Sequence, residues 1–184
     1  PAGRLPPLTA AVDGRGSRPA GQEAWAGRAA HAGPVALVIR SDRWDALGAP
    51  VATVWEHLED VGAYQAWWPW LRSFDAAALG AGEQWRCEVV PLVPRPMRFR
   101  LTLTEVVARR SVAAVVDGDI RGEARFDLHP DGDGSQVHLV SSLEAGSAEL
   151  RFLSALARPV ARRSHDWVID TGMRQLRDHV RSGP

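Results

Sequence analysis

The middle of the chain is a succession of six short segments with the composition of β-strands. Apolar and polar residues alternate along them, and the linkers LGAGE, PLVPRP, VDGD and PDGDG are rich in turn-forming residues. Strands that are joined by hairpins pair antiparallel, so this pattern predicts one long antiparallel sheet. The predicted strands cover residues 72–77, 84–90, 97–107, 111–117, 120–129 and 135–143.

Helical patterns flank the predicted sheet. A first strand is predicted at residues 35–44, and Pro50 then stands at a helix start, where its missing N–H costs nothing. A second short helix or turn is predicted at residues 62–70. Residues 148–180 have the period of a helix, and Pro159 predicts a kink in its first third. A long sheet with one long helix can curl around that helix and leave a cavity between them.

The first 33 residues differ from the rest of the chain in composition. They are rich in Pro, Gly, Ala and Arg and show no sustained period, so they cannot bury enough apolar surface to offset the entropy of ordering. We therefore predict a disordered leader at residues 1–33. A single ligand-binding domain is predicted at residues 34–182, which is long enough to bury a substantial core.

Charge and cysteine content argue against several classes of function. Lys plus Arg (22) equals Asp plus Glu (22), so no net field favours a nucleic acid or an anionic membrane. The single cysteine, Cys87, excludes an intramolecular disulfide and a cysteine-rich zinc cluster. No apolar run approaches the length of a membrane span, which is about 20 residues. The N-terminal segment lacks the apolar stretch of a signal peptide. We therefore expect a cytoplasmic monomer or homodimer with no nucleic-acid partner and no integral membrane contact.

Motifs of metal, phosphate and nucleophile sites are also missing from the sequence. The six histidines form no H-x-x-x-H or H-E-x-x-H pair, and there is no Walker A motif, G-x-G-x-x-G loop or G-x-S-x-G elbow. We therefore expect no metal and no cofactor.

Alternation along the strands separates an apolar set of side chains from a charged set, so one sheet face is predicted to be apolar. Ser141 interrupts the apolar set and Cys87 is small, which leaves room either for a ligand or for a bulky neighbouring ring. The charged face is expected to carry cross-strand ion pairs in solvent. The large members of the apolar set include Trp85, Phe99, Phe126 and Leu139.

His165 is the strongest polar candidate. It shares a helical stripe with Ile169, Gly172 and Leu176, so it can face the sheet. A histidine there can orient a carbonyl group or move a proton near neutral pH, or it can bond a backbone carbonyl and seal the helix against the sheet. Asp166 points about 100° away around the helix, so adjacency alone makes no dyad.

Aromatic rings concentrate in the segment AYQAWWPWL, residues 63–71, which contains three tryptophans. Because this bend lies between the first helix and the sheet, we predict that it forms the rim of the cavity. We expect Trp68 to point inward, with Trp67 or Trp70 partly outside. Exposed aromatic patches also mark interfaces, so a protein-interaction module that uses the WWPW bend is a further alternative.

Three stretches carry a resemblance to a known family. APVATVWEHLEDVGAYQAWWPWL has the "VW" and "W-W-P" of an opening helix pair, GDIRGEARFDL has a "GD-x-x-G" hairpin, and ARPVARRSHDWVIDTGMRQL is similar to a terminal helix. Together they resemble the START-like helix-grip (SRPBCC) superfamily, in its polyketide cyclase/dehydrase and lipid-transport branch. That family often places Asn before the histidine of the terminal helix, where this chain has Ser164. The likeness covers residues 35–180.

The resemblance implies an α+β helix-grip fold, in which a curved antiparallel β-sheet wraps around a long C-terminal α-helix, with two short helices after the first strand. It also implies that an apolar or aromatic small molecule, such as a lipid, a polyketide or a related metabolite, binds between sheet and helix. Some family members cyclise or dehydrate polyketide chains. The alternative is therefore a polyketide cyclase or dehydratase, with His165 as the candidate catalytic residue and an arginine or Ser141 orienting the substrate. The expected ligand-binding residues are Trp68, Trp85, Phe99, Phe126, Leu139, Ser141, His165, Ile169 and Met173.

Overall fold

The computed structural model describes residues 37–91 and 95–182. The predicted leader, residues 1–33, lies outside the described residues. Strand β1 (Val38–Ala46) comes first, followed by helix α1 (Val51–Glu59), a 3-10 turn (Val61–Ala63) and helix α2 (Tyr64–Trp67). The remaining elements are β2 (Leu71–Asp75), β3 (Gln84–Val89), β4 (Met97–Val107), β5 (Ser111–Gly118), β6 (Ile120–Asp131), β7 (Gly134–Ala145), α3 (Ala148–Leu156) and α4 (Arg158–Ser182).

All seven strands form one antiparallel sheet in the order β1-β7-β6-β5-β4-β3-β2. The six strands of the middle segment are neighbours in sequence order, as expected of hairpin-connected strands. β1 pairs with β7 over its whole length, from Val38 opposite Glu144 to Ala46 opposite Gln136. The predicted helix-grip architecture, a curved antiparallel sheet with a long C-terminal helix and two short helices after the first strand, is confirmed.

The C-terminal helical segment differs from its prediction. It is divided into α3 and α4, which are separated at Ala157, whereas the sequence pattern predicted one helix with a kink. The reason is Pro159, whose ring and missing N–H are tolerated in the first turn of a helix but not in its interior. The backbone N–H of Ala161 then bonds the carbonyl of Ala157 at 3.0 Å and starts the new helix.

A tightly packed core fills one end of the space between the sheet and the helices. Helix α1, helix α2 and the second half of α4 meet the sheet here. Leu176 of α4 is 1% exposed, and Val54 of α1 and Val137 of β7 are 0% exposed. Burying one such side chain stabilises the fold by roughly 1.5–3 kcal/mol, so this end anchors α4 to the sheet.

The β5–β6 hairpin depends on a close approach of neighbouring backbones. Gly122 has φ +143°, and a Cβ at this position would lie 2.0 Å from the carbonyl oxygen of Ser142 on β7. Only glycine fits this contact. The "GD-x-x-G" pattern therefore places the start of β6, with Asp119 and Ile120, at the end of the sheet next to the last residues of β7.

Candidate functional site

A cavity of about 480 Å³ lies between the sheet and the first half of α4. Strands β1, β4, β6 and β7 form one wall and α3 and α4 form the other, with contributions from the end of β3. Protein sites for small molecules usually have volumes of about 300–1,000 Å³, and this cavity falls within that range. Its largest apolar wall residues include Ile39, Met97, Phe99, Leu139, Val160 and Ile169.

Part of the predicted ligand-binding set lies in the wall of this cavity. Phe99 of β4 and Leu139 and Ser141 of β7 come from the inward-facing alternate positions of their strands, and His165 and Ile169 come from one stripe of α4. The structure therefore brings side chains from sheet and helix together around one space. Their role toward a ligand stays a prediction.

The other four predicted residues, Trp68, Trp85, Phe126 and Met173, do not line the cavity. Trp85 is 7% exposed and its indole N–H donates to the carbonyl of Ala78 at 2.9 Å. Met173 is 6% exposed in the core, and Phe126 packs against the core from β6. Trp68 donates its indole N–H to the carbonyl of Gly172 at 3.0 Å. Alternation identifies the inward face of a strand, but it does not show where along that face the helix packs directly on the sheet.

The rings of the tryptophan bend lie in two places: some pack in the core, and one lines the cavity. Trp67 is 8% exposed and stacks on the ring of His179, with centroids 4.9 Å apart. Trp68 points inward as expected, but Trp70 is the ring that lines the cavity, and its N–H donates to Gln175 at 2.8 Å. The bend thus fastens the start of β2 to α4, and this geometry argues against an exposed aromatic docking patch.

His165 lies in the wall of the cavity and forms a hydrogen bond with a buried serine. Its Nε2 is 2.8 Å from the hydroxyl of Ser41, which is 8% exposed on β1. Burial lowers the pKa of His165 below its ordinary 6.5, the charges of Arg162 and Arg43 lower it further, and Asp166 opposes the shift. The imidazole is therefore uncharged at neutral pH. Ser41 was not predicted, although it occupies the inward-facing set of β1 together with the wall residue Ile39.

Two serines add hydroxyl groups to the cavity wall. Ser141 of β7 is 6% exposed and Ser164 of α4 is 7% exposed. Neither hydroxyl oxygen has a hydrogen-bond partner among the described residues. Ser141 was predicted from its place in the apolar set, whereas Ser164 was noted only because the related family often has Asn at that position.

Charged side chains occur at one edge of the cavity. Glu144 bonds Arg121 at 2.6 Å, and Asp119 accepts the backbone N–H of Arg98 at 2.9 Å. Arg95 completes the charged lining of this edge. These groups lie near the ends of their strands, so the interior of the cavity keeps the uncharged serines and histidine as its polar groups.

The site has few groups for acid–base, nucleophilic or metal chemistry. Cys87 lies in the core and not in the cavity wall, and burial raises the pKa of its thiol to about 12, so the thiolate needed of a nucleophile does not form at neutral pH. Within residues 37–91 and 95–182, no group of three or more His, Cys, Asp or Glu side chains is placed to hold a metal ion. His165 is the one histidine in the cavity wall within these ranges, and an imidazole can transfer a proton near neutral pH.

The opposite face of the sheet carries cross-strand ion pairs. Arg98 bonds Glu88 at 2.6 Å across β4 and β3, and Arg86 bonds Asp75 at 2.8 Å across β3 and β2. These side chains are mostly exposed, so each pair contributes little to stability. The charged face therefore matches the arrangement expected from strand alternation.

Comparison with known proteins places this geometry in a family. The sequence model described as polyketide cyclase/dehydrase and lipid transport matches residues 46–181. A comparison with curated protein sequences found no match. No helix in the described part of the chain has the length and apolar character needed to cross a membrane.

Solved structures with the same fold share little sequence with this chain. TTHA0849 from Thermus thermophilus is 19% identical with a TM-score of 0.66, and the match covers 79% of this chain and 98% of that one. The ZhuI aromatase/cyclase from Streptomyces sp. R1128 is 16% identical with a TM-score of 0.56, covering 80% and 100%. The di-domain ARO/CYC StfQ from the steffimycin biosynthetic pathway is 10% identical with a TM-score of 0.63, covering 79% and 51%.

Proposed function

The chain belongs to the polyketide cyclase/dehydrase and lipid transport family, and on this basis we propose that it binds an apolar or aromatic small molecule in the cavity between the sheet and α4. The observation that carries the proposal is the cavity itself. It measures about 480 Å³ and is walled mainly by apolar side chains from both the sheet and the helix. Binding there removes apolar ligand surface from water, at roughly 25 cal/mol per Å².

Native mass spectrometry of the freshly purified full chain, followed by binding of naphthalene and 2-naphthol in equilibrium dialysis, tests the proposal. We expect either a co-purified small molecule or saturable binding of these probes. Ala161→Trp, which places a large ring on the cavity face of α4, should abolish binding, because the ring occupies the cavity. Ala66→Trp is the matched control, since Ala66 is exposed on α2 and outside the cavity. Absence of any bound molecule and of probe binding would contradict the proposal.

His165 supports a second candidate, cyclisation and dehydration of a bound polyketone. An uncharged imidazole in an apolar wall can remove a proton from a carbon between two carbonyl groups. The enolate carbon can then attack a second carbonyl of the same chain, with the proton returned to the new alkoxide, and loss of water gives the double bond. The cavity would hold the reacting carbons together, which is a large rate effect by itself.

Turnover of a linear polyketone probe distinguishes binding from catalysis. If the chain is a cyclase, His165→Ala abolishes turnover of a linear polyketone probe and leaves its affinity nearly unchanged. A wild-type chain that binds the polyketone and releases it unaltered would exclude catalysis and leave binding as the function.

A further inference from the structure

Buried hydroxyl groups in this molecule fall into two groups. Six serine and threonine side chains are buried among the described residues. Ser141 and Ser164 have no hydrogen-bond partner for their hydroxyl oxygens, and both line the cavity. The other four are bonded within the protein: Ser41 to His165 (2.8 Å), Ser111 to Glu105 (2.9 Å), Ser135 to the carbonyl of Ala49 (2.7 Å) and Thr171 to Arg174 (3.2 Å).

An unpartnered buried hydroxyl is unfavourable for folding. Leaving such a group without a hydrogen bond costs about 1–3 kcal/mol, whereas alanine at the same position would cost nothing of this kind. The indole N–H of Trp67 also has no hydrogen-bond partner within residues 37–91 and 95–182, but Trp67 does not line the cavity. The two serines therefore both lack a hydrogen bond and both line the cavity where a ligand is proposed to bind.

Their positions place hydroxyls on two opposite walls. Ser141 is in the middle of β7, opposite Ser41 of β1 and Ala124 of β6 in the sheet register. Ser164 precedes His165 on α4. The charged residue Glu144 follows Ser141 by three positions, about 10 Å along the strand, so Ser141 is separated from this charged residue.

We propose that Ser141 and Ser164 form a polar subsite that binds an uncharged, oxygen-bearing group of the ligand, a carbonyl or a hydroxyl, while the rest of the cavity holds its apolar part. This assignment rests on the proposed binding function and specifies it. A serine hydroxyl both donates and accepts a hydrogen bond, so it can pair with either kind of oxygen. We expect this group to be uncharged. Ser41, opposite Ser141 in the sheet register, and His165, next to Ser164 on α4, supply no counter-ion, and an unpaired charge is costly to bury.

The experiment compares naphthalene with 2-naphthol, which differ by one hydroxyl, in equilibrium dialysis with the full chain. Without a polar partner in the cavity, the cost of desolvating the hydroxyl favours naphthalene. We expect 2-naphthol to bind more tightly than naphthalene, by about 5-fold or more, because one net hydrogen bond corresponds to a change in affinity of this order. Ser141→Ala, Ser164→Ala and the double variant should reduce this preference stepwise, because each removes a hydroxyl that bonds the 2-naphthol oxygen.

Ser135→Ala is the matched control, since Ser135 is a buried serine of the same strand that donates to Ala49 outside the cavity. It should lower the urea midpoint and keep the preference for 2-naphthol. The cavity variants should keep or raise the midpoint, because each removes an unpartnered hydroxyl. Equal binding of the two probes, or a preference that survives in the double variant, overturns the subsite and leaves the cavity function intact. If neither probe binds, the subsite is overturned, and the cavity function fails with it when no small molecule co-purifies either.

Discussion

Helix α4 presents one continuous stripe to the sheet, but its two halves have different partners. In the first half, Val160, Ser164, His165 and Ile169 face a cavity of about 480 Å³. In the second half, Met173, Leu176 and Val180 are 6%, 1% and 4% exposed in the core. The difference shows that a regular helical period specifies which side of a helix is inward, whereas the side chains opposite decide whether that side packs or encloses a space.

Three residues mark the boundary between the halves. A Cβ on Gly172 would lie 3.4 Å from the ring of Trp70 and 3.6 Å from the indole nitrogen of Trp68. Both indoles bond α4, at the carbonyl of Gly172 and at the side chain of Gln175. The tryptophan bend therefore separates the packed end from the cavity end. Its concentration of rings is explained by this position.

The largest expected effect comes from shortening a side chain in the packed half. Leu176→Ala should lower the free energy of unfolding by about 2–5 kcal/mol, because it removes core contacts and leaves a void. Ile169→Ala, on the cavity half, should cost much less, since its side chain already borders open space. Urea denaturation followed by tryptophan fluorescence measures both, and equal losses would break the distinction between the halves.

Overpacking at the boundary is expected to have the next largest effect. Gly172→Leu should destabilise the fold by about 1–3 kcal/mol, because the larger side chain displaces the Trp68 and Trp70 rings. Gly172→Ala is the control. Its Cβ meets ordinary contact distances, and alanine favours a helix, so stability should stay within about 1 kcal/mol of the wild type. A leucine variant as stable as the alanine variant would show that the rings are not held against α4.

The sequence predicts the fold far better than the site. Period and turn residues predict the bounds of the strands to within a few residues and the hairpin pairing of β2 to β7, because both rest on local backbone preferences. The pairing of β1 with β7 joins residues distant in sequence, and no local pattern predicts it. Alternation also places Phe99, Leu139 and Ser141 on the inward face. The sequence pattern selected Trp68 rather than Trp70 for the ligand-binding set, and it included Met173 together with Ile169, but only Trp70 and Ile169 line the cavity. Which of them borders the cavity depends on contacts between elements distant in sequence.

A single hydrogen bond at the boundary should have a smaller effect. Trp70→Phe keeps a ring in the cavity wall and removes the 2.8 Å bond to Gln175. The expected loss in the free energy of unfolding is about 0.5–1.5 kcal/mol. Gln175→Ala should cost a similar amount, and the double variant should cost little more than either single variant. Fully additive losses in this double-mutant cycle would show that the bond does not couple the bend to α4.

The smallest expected effect is the pH dependence of folding stability that the cavity histidine, His165, contributes. The pKa of His165 is lower in the folded protein than its ordinary 6.5. At pH values between these two pKa values, the unfolded chain therefore binds more protons at this residue than the folded protein does. Stability from this residue is therefore present above about pH 6.5 and falls as the pH drops toward the folded-state pKa. His179 has a lowered pKa as well and adds to the slope. In the His165→Asn variant, the urea midpoint should change less between about pH 7.5 and pH 5.5 than it does in the wild type. The same change of midpoint in both proteins would contradict a buried, uncharged His165.

The most direct measurement of the division of α4 is a titration of the full chain with 2-naphthol, followed by backbone amide chemical shifts. The cavity lies against Val160–Ile169 and the middle of β7, so the largest shift changes should fall on these residues. The amides of Met173–Val180 should stay close to their starting shifts, because that half is already packed against the core. Shift changes concentrated in Met173–Val180, or on the charged outer face of the sheet, would contradict the account.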